Sequence, residues 1–291
     1  MKHHLIRFTL VVAGASALAV GLSAAAPATP KMQFPAPSPA STLKQRVGLT
    51  DIEITYARPS MKGRKIFGGL VPLGQIWRTG ANTATKISLS TPVKFNGAEV
   101  PAGTYELFTI PGEAEWTVIV HKHMSQWGSY SYDAKNDVAR VKAKPIALAT
   151  PIESLAIGLN DLRDTSATLS IAWEKTRVPI KLEVDTVGAL VPQIQAAMQA
   201  EGDKPYFQAA MFYFENGLDL KQALEWMNAG LAKQPDAFWM HYRKGLLLAK
   251  LGDKAGAMAA AKQSMELAAK RSGELKEEYL RLNEALIASL R

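Results

Sequence analysis

The stretch that decides the fold of the first half of the chain is VKFNGAEVPAGTYELFTI, from Val93 to Ile110. Asn96 and Gly97 stand here between two short extended runs. An Asn-Gly pair favours the left-handed backbone of a two-residue hairpin turn, so the runs on either side are expected to pair as antiparallel strands. A second turn, at Pro101 to Gly103, is expected to lead into the further strand TYELFTI. This segment therefore predicts antiparallel β structure.

The β pattern extends from this segment in both directions. Alternating or extended runs include DIEITYA, TKISLS, EWTVIVHKH, NDVARVKAKP, IESLAIGLN, SATLSIAWEK and RVPIKLEV. About nine short strands bounded by turn-forming residues, with no helical period between them, favour an all-β antiparallel sandwich or jelly-roll-like domain. We place this domain at residues 42–186, because β-branched residues almost vanish after that point.

Residues 187–291 are rich in Ala, Leu, Met, Gln and Lys and predict an all-α domain. An internal repeat runs through them, since Asp219 and Asp253 stand 34 residues apart, as do Ala223 and Ala257. This period, with small residues where helices cross, is typical of tetratricopeptide repeats. We predict two degenerate repeats and a capping helix from Gly273 to Leu290. A plain helical bundle is the alternative.

The first residues have the pattern of a secretory signal peptide. Lys2 and Arg7 precede an apolar run from Leu10 to Leu22, which is shorter than the ~20 residues of a membrane-spanning helix. We therefore predict a cleaved signal peptide at residues 1–26 rather than an uncleaved anchor. Residues 27–41, rich in Pro, Ala and Ser, predict a semi-extended linker. The expected location is periplasmic or extracellular, with no stable membrane insertion after cleavage.

Composition excludes several kinds of site. The 291-residue chain contains no cysteine, so disulfides, zinc–thiolate sites, iron–sulfur clusters and cysteine nucleophiles are impossible. Its formal net charge is +8. Because an exported protein does not meet nucleic acid in the cytoplasm, we expect the anions of a cell envelope, such as acidic glycans or phospholipid head groups, as partners instead.

Positive charge gathers in RPSMKGRKIFGGLVPLGQIWRTGAN, from Arg58 to Asn82, which contains no acidic residue. A guanidinium group is a planar fork suited to carboxylate, sulfate or phosphate, and glycines let backbone amides approach such a ligand. The candidate ligand-binding residues in this stretch are Arg58, Lys62, Arg64 and Arg78. The alternative is a long ordered loop whose arginines cap carbonyls or pair with acids such as Asp161 or Asp164.

Aromatic residues in EWTVIVHKHMSQWGSY suggest a second element of a binding site. Trp116 alternates with Val118 and Val120 and is predicted to lie in the core. Trp127 and Tyr130 fall in a loop, where aromatic rings can stack on sugars, so both are candidate ligand-binding residues.

His121 and His123 form the best candidate pair for a metal site. Residues two apart on a strand share a face, so both imidazoles could reach one ion. No third ligand is indicated by spacing, and we favour the alternative in which both lie at a solvent-facing strand end. Because nucleophile-elbow, metalloprotease, P-loop and dinucleotide motifs are absent, we predict no cofactor, no metal and no catalytic residue.

Four blocks carry a resemblance to a known family. YARPSMKGRKIFGGLVPLGQIWRTGANTAT, VPAGTYELFTIPGEAEWTVIV, QWGSYSYDAKNDVARVKAKP and WEKTRVPIKLEV resemble the secreted bacterial family catalogued as domain of unknown function 2911. The resemblance covers roughly Leu49 to Asp185. It implies an exported β-rich domain, followed in some members by tetratricopeptide-like helices. It implies no catalytic residues, and the His121/His123 pair is not a feature of the family.

Three hypotheses about function follow. The leading one is a non-enzymatic binding protein, with an anionic or glycan ligand on the β domain and a protein partner on the helical repeats. The second is a hydrolase acting on a glycan or ester, with a metal-dependent version that uses His121 and His123. The third is a structural or assembly factor of the envelope, in which the repeats supply the main contact.

Overall fold

The computed structural model describes Met32, residues 34–122 and residues 124–291, so the predicted signal peptide and His123 lie outside the described residues. Within them, strands come first and α-helices follow, as predicted. The strands are β1 (Ala40–Val47), β2 (Thr50–Ala57), β3 (Thr85–Leu89), β4 (Val93–Phe95), β5 (Ala98–Val100), β6 (Gly103–Ile110), β7 (Trp116–Lys122), β8 (Asp137–Ala143), β9 (Ile146–Asn160) and β10 (Ser166–Val184). The helices are α1 (Thr186–Gln199), α2 (Tyr206–Glu215), α3 (Leu220–Lys233), α4 (Phe238–Lys250), α5 (Lys254–Ala269) and α6 (Glu274–Ser289).

The strands form two antiparallel sheets. The first has six strands in the order β1-β2-β3-β6-β7-β8, and the second has four in the order β5-β4-β10-β9. Side chains from both sheets meet in one core, because alternate residues of each strand point to the same face. Fully buried members of this core include Ile54, Leu107, Val118, Phe95, Leu169 and Ile180.

The predicted Asn96-Gly97 hairpin is confirmed. Phe95 pairs with Ala98, so these two residues make up the whole turn between β4 and β5. Their φ angles are 41° for Asn96 and 89° for Gly97. Both lie in the left-handed region, which a two-residue hairpin turn needs if its twist is to match that of the strands.

Two details differ from the sequence-based expectation. SATLSIAWEK and RVPIKLEV were expected as separate strands, but both belong to the 19-residue strand β10. Its pairing with β9 shifts register on either side of Glu174, whose φ of 55° marks a β-bulge. A bulge bends a strand without ending its pairing. In addition, β1 begins at Ala40, inside the predicted linker, because Ala40 and Ser41 already pair with β2.

In the helical part, residues 34 apart in the sequence occupy equivalent positions in α3 and α5. Asp219 and Asp253 accept hydrogen bonds from the first-turn amides of α3 and α5, and Ala223 and Ala257 are fully buried one turn later. Helix α6 coincides with the predicted capping helix. Among the described residues, no helix combines the length and apolar character required to cross a membrane. The second part of the chain is thus all-α, and its tetratricopeptide assignment stays a prediction.

Candidate functional site

The basic stretch lies in the loop that joins β2 to β3, here called the basic loop (residues 58–84). It is anchored on both sheets by isolated bridges, in which Ser60 pairs with Ser154 of β9 and Trp77 pairs with Thr109 of β6. The Trp77 amide donates to the Thr109 carbonyl over 2.8 Å, and the reverse bond measures 2.9 Å. The loop is therefore an ordered part of the sandwich.

Apolar residues of the basic loop enter the core between the sheets. Ile66 and Val71 are buried. Phe67 meets Trp116 edge to face, with ring centroids 4.8 Å apart, and Trp77 stacks on Trp173 at 6.1 Å. The prediction that Trp116 is a core residue is confirmed. This packing fixes the loop backbone, from which the basic side chains extend.

Two of the four basic candidates donate hydrogen bonds to backbone carbonyls of the protein itself. The Arg58 Nε donates to the carbonyl of Leu155 over 2.9 Å. The Arg64 Nε and Nη2 donate to the carbonyls of Met61 and Ser60, over 2.9 and 2.7 Å. These bonds agree with the structural interpretation, in which arginines cap carbonyls. Pairing with Asp161 or Asp164 is not seen for any of these arginines in the described part of the chain.

The Lys62 side chain is exposed, and the hydrogen bond that this residue makes to β9 comes from its backbone amide. Its amide donates to Glu153 Oε1 over 2.9 Å, and its φ is 48°. It does not line the cavity described below.

Arg78 differs from the other arginines of the loop. It is half-buried, and within the described residues its Nε is shielded from solvent without a hydrogen-bond partner. Burial lowers the pKa of Arg78, while the nearby Tyr130 acts in the opposite direction, and no described carboxylate affects that pKa. Removing a guanidinium from water without a partner is unfavourable. An anion next to Arg78 would offset this cost.

Arg64, Arg78 and Tyr130 line one cavity of about 440 Å³. Its other walls combine apolar and small polar residues, and no lining residue is an aspartate or glutamate. The apolar lining residues include Leu70, Ile76, Trp77 and Trp173, and the uncharged polar ones are Ser38, Gln75 and Ser129. The cavity therefore has positive charge, hydrogen-bonding groups and aromatic surface. We call it the arginine cavity.

The structure brings together three of the six predicted ligand-binding residues. Trp127 is 64% exposed and lies near Tyr130 in the chain, but it does not line the arginine cavity. Sequence reasoning missed Ser38, Gln75 and Ser129. Gln75 lies inside the basic stretch, and a polar residue among apolar neighbours there could have been identified as a candidate binding residue. The sequence gives no comparable indication for Ser38 and Ser129, because small polar residues are common in any loop.

The prediction of a solvent-facing strand end is wrong for His121. This side chain is fully buried, on the face of the first sheet opposite Val118 and Val120. The loop that follows β7 covers that face with Tyr132 and Gln126, which alternation along β7 does not reveal. His121 is thus part of a second, buried cluster.

Asp137 is the centre of this cluster. Its Oδ1 lies 3.0 Å from His121 Nδ1, and its Oδ2 accepts from the Tyr132 hydroxyl and from Arg140 Nη1, each over 2.7 Å. Burial and the bond to Asp137 raise the pKa of Tyr132 to about 12. Three donors on one carboxylate hold β7, β8 and the connecting loop together.

The cluster does not have the geometry of a metal site in the described part of the chain, where no group of three or more potential metal ligands was found. The Nε2 of His121 has no hydrogen-bond partner among the described residues and is shielded from solvent. A general base must reach its substrate's proton, directly or through a water molecule. We therefore assign no catalytic role to His121.

Comparison with known proteins identifies a family model that covers the β part of the chain. Residues 38–182 match the family model described as "Protein of unknown function (DUF2911)". The match begins at Ser38, which lines the arginine cavity, and extends into β10, so it contains every lining residue. No curated protein and no solved structure matched the chain. The β part of this chain, residues 38–182, thus carries the domain of the family described as "Protein of unknown function (DUF2911)".

Proposed function

We propose that the protein is a non-enzymatic binding protein whose β part holds an anionic ligand in the arginine cavity. The observation that carries the proposal is the Arg78 side chain. It is charged and half-buried, its Nε has no partner within the described residues, and it lines a cavity without a carboxylate on its walls. Such a group gains more from a bound anion than a solvated surface arginine does.

Arg64 supports the same proposal in a different way. Its two bonds to loop carbonyls use two of the five N–H donors of a guanidinium and hold the side chain in one orientation. The remaining donors are available for a ligand in the cavity. A side chain held in place in this way loses less conformational entropy on binding.

We further propose that the protein is exported and acts in the periplasm or outside the cell. The proposal rests on the signal-peptide pattern of residues 1–26 and on the resemblance of the β part to a secreted family. We assign the helical part a role in docking a protein partner. The recurring positions of Asp219 and Asp253 at the helix starts favour stacked repeats, which present extended binding surfaces.

Anion titration of the purified chain tests the proposed cavity. Acetate, sulfate and phosphate are added at low ionic strength, and binding is measured by calorimetry for the wild type and for Arg78→Gln. We expect Arg78→Gln to weaken binding at least tenfold, because a charge-assisted hydrogen bond contributes roughly 1.5–3 kcal/mol. Arg46→Gln, which removes the same charge from an exposed site, serves as the control.

Stability of the ligand-free variants separates a binding arginine from a structural one. Arg58→Gln removes a hydrogen bond to the Leu155 carbonyl and is expected to lower the free energy of unfolding by about 1 kcal/mol. Arg78→Gln breaks no bond to the described residues and is expected to leave it unchanged. Intact anion binding by Arg78→Gln together with a large loss of stability would contradict the proposal.

A further inference from the structure

The size of the arginine cavity restricts its ligand. The cavity measures about 440 Å³. Inorganic sulfate or phosphate would fill only a small part of that space. The volume lies within the range of about 300–1,000 Å³ that is usual for sites of small organic molecules. The cavity therefore has room for an uncharged body in addition to an anionic group.

The uncharged walls indicate what kind of body fits. Ser38, Gln75 and Ser129 bring hydroxyl and amide groups, which both donate and accept hydrogen bonds. Leu70 and Ile76 add apolar surface beside them. A lining that contains both apolar and hydrogen-bonding groups suits a molecule with many hydroxyl groups on a carbon ring.

Tyr130 offers such a ring a flat surface. It is 86% exposed, and none of the ring–ring contacts in the described part of the chain involves it. The ring lies next to the backbone of Gly128, because a Cβ atom there would lie 2.6 Å from the Tyr130 Cε2 atom. Gly128 also has a φ of 73°. The loop thus uses a glycine to leave space for an exposed aromatic ring in the cavity that Arg78 also lines.

We infer that the ligand of the arginine cavity is an acidic sugar of the uronic acid type, which places its carboxylate on Arg78 and Arg64 and its ring on Tyr130. This inference rests on the proposed function. A carboxylate matches the planar fork of a guanidinium, and the C–H groups of a sugar ring pack on an aromatic face. Arginine side chains and aromatic rings are each common on protein surfaces, but here both line the same cavity.

Glucuronate is the probe for this inference, with glucose, acetate and benzoate as comparison ligands. We expect glucuronate to bind at least tenfold more tightly than glucose, which lacks the carboxylate, and more tightly than acetate, which lacks the ring. Tyr130→Ala is expected to weaken glucuronate binding about three- to tenfold and to weaken acetate binding less, because acetate has no ring to pack on Tyr130. Tyr130→Phe keeps the ring face and should bind glucuronate like the wild type.

Trp127→Ala is the matched control, since Trp127 is a second exposed aromatic of the same segment and lies outside the cavity. Its affinity for glucuronate is expected to equal that of the wild type. Because Tyr130 and Trp127 are exposed, both alanine variants are expected to melt at the temperature of the wild type, which thermal unfolding verifies.

The outcomes separate this inference from the proposed function. If neither glucuronate nor any simple anion binds, the proposed function is wrong and the inference falls with it. If acetate, sulfate and glucuronate bind alike and Tyr130→Ala has no effect, the anion cavity stands and the sugar ligand is wrong. Tighter binding of benzoate than of glucuronate would overturn the sugar class in favour of an aromatic acid.

Discussion

At the scale of single residues, three arginines of the basic loop have three different surroundings. Arg58 donates to a carbonyl of strand β9, Arg64 donates to carbonyls of its own loop, and Arg78 lines a cavity without a hydrogen bond from its Nε to a described residue. The sequence identified all three as candidates, but not the acceptor nearest to each. That acceptor depends on which backbone carbonyls the folded loop brings within about 3 Å.

Tyr132 gives a prediction about pH. Its pKa rises from the ordinary value of 10.0 to about 12, mainly because of burial and then because of the bond to Asp137. A folded-state pKa above the unfolded value means that the folded protein holds the proton more tightly. The resulting stabilisation is fully present below pH 10 and is lost as the pH rises from 10 to about 12.

Comparison of the wild type with Tyr132→Phe measures this effect. Denaturant unfolding at a series of pH values should give a stability difference that shrinks between pH 10 and 12, because phenylalanine has no proton to lose. A difference that stays constant over this interval would contradict the assigned pKa. The difference between the phenolate absorbance titrations of the wild type and Tyr132→Phe measures the same ionisation apart from those of the other seven tyrosines.

At the scale of elements, the hairpin between β4 and β5 depends on the turn residues themselves. Gly97 has a φ of 89° and no atom within 4 Å of an added Cβ, so alanine there meets strain but no clash. We expect Gly97→Ala to lower the free energy of unfolding by roughly 1–2 kcal/mol. Gly158→Ala, in strand β9 with ordinary contacts for a Cβ, should not destabilise the protein. Equal losses from the two variants would count against this account.

The elements also explain which strand boundaries are predictable. Asn96-Gly97 imposes a turn through local backbone preferences, so sequence alone locates it. Glu174 gives no such signal, yet its bulge lets β10 continue past the predicted break. Its carboxylate also accepts from the amides of Ile66 and Phe67, each over 3.3 Å, which links the bulge to the basic loop. The bulge is favoured by contacts that are more than 100 residues apart in sequence.

At the scale of the whole molecule, the turn between β1 and β2 packs directly on the start of the helical part. A Cβ at Gly48 would overlap the Thr186 Oγ1 and the Asp164 carbonyl oxygen. Thr186 is the first residue of α1 and donates to that carbonyl over 2.5 Å, while Asn216 at the end of α2 donates to the Asp164 carboxylate over 3.2 Å. These contacts fasten the first two helices to the sandwich.

Gly48→Ala tests this junction, with Gly74→Ala as its control. Both glycines have positive φ angles, 54° and 73°, but Gly74 has open space around an added Cβ. The two variants therefore share the backbone strain, and only Gly48→Ala adds overlap. We expect Gly48→Ala to lose about 1–3 kcal/mol more of the free energy of unfolding than Gly74→Ala. Equal losses in the free energy of unfolding would mean that the junction accommodates the added Cβ at residue 48 without destabilisation.

The sequence by itself determined the order of the two structural classes, the hairpin at Asn96-Gly97 and the position of helix α6, because turn propensity and periodicity act over a few residues. It also located the basic stretch. Only the tertiary structure decided that His121 is buried and that Arg78, rather than Arg58, lines a cavity with Tyr130. Burial and side-chain partners depend on segments that are distant in the chain and adjacent only after folding.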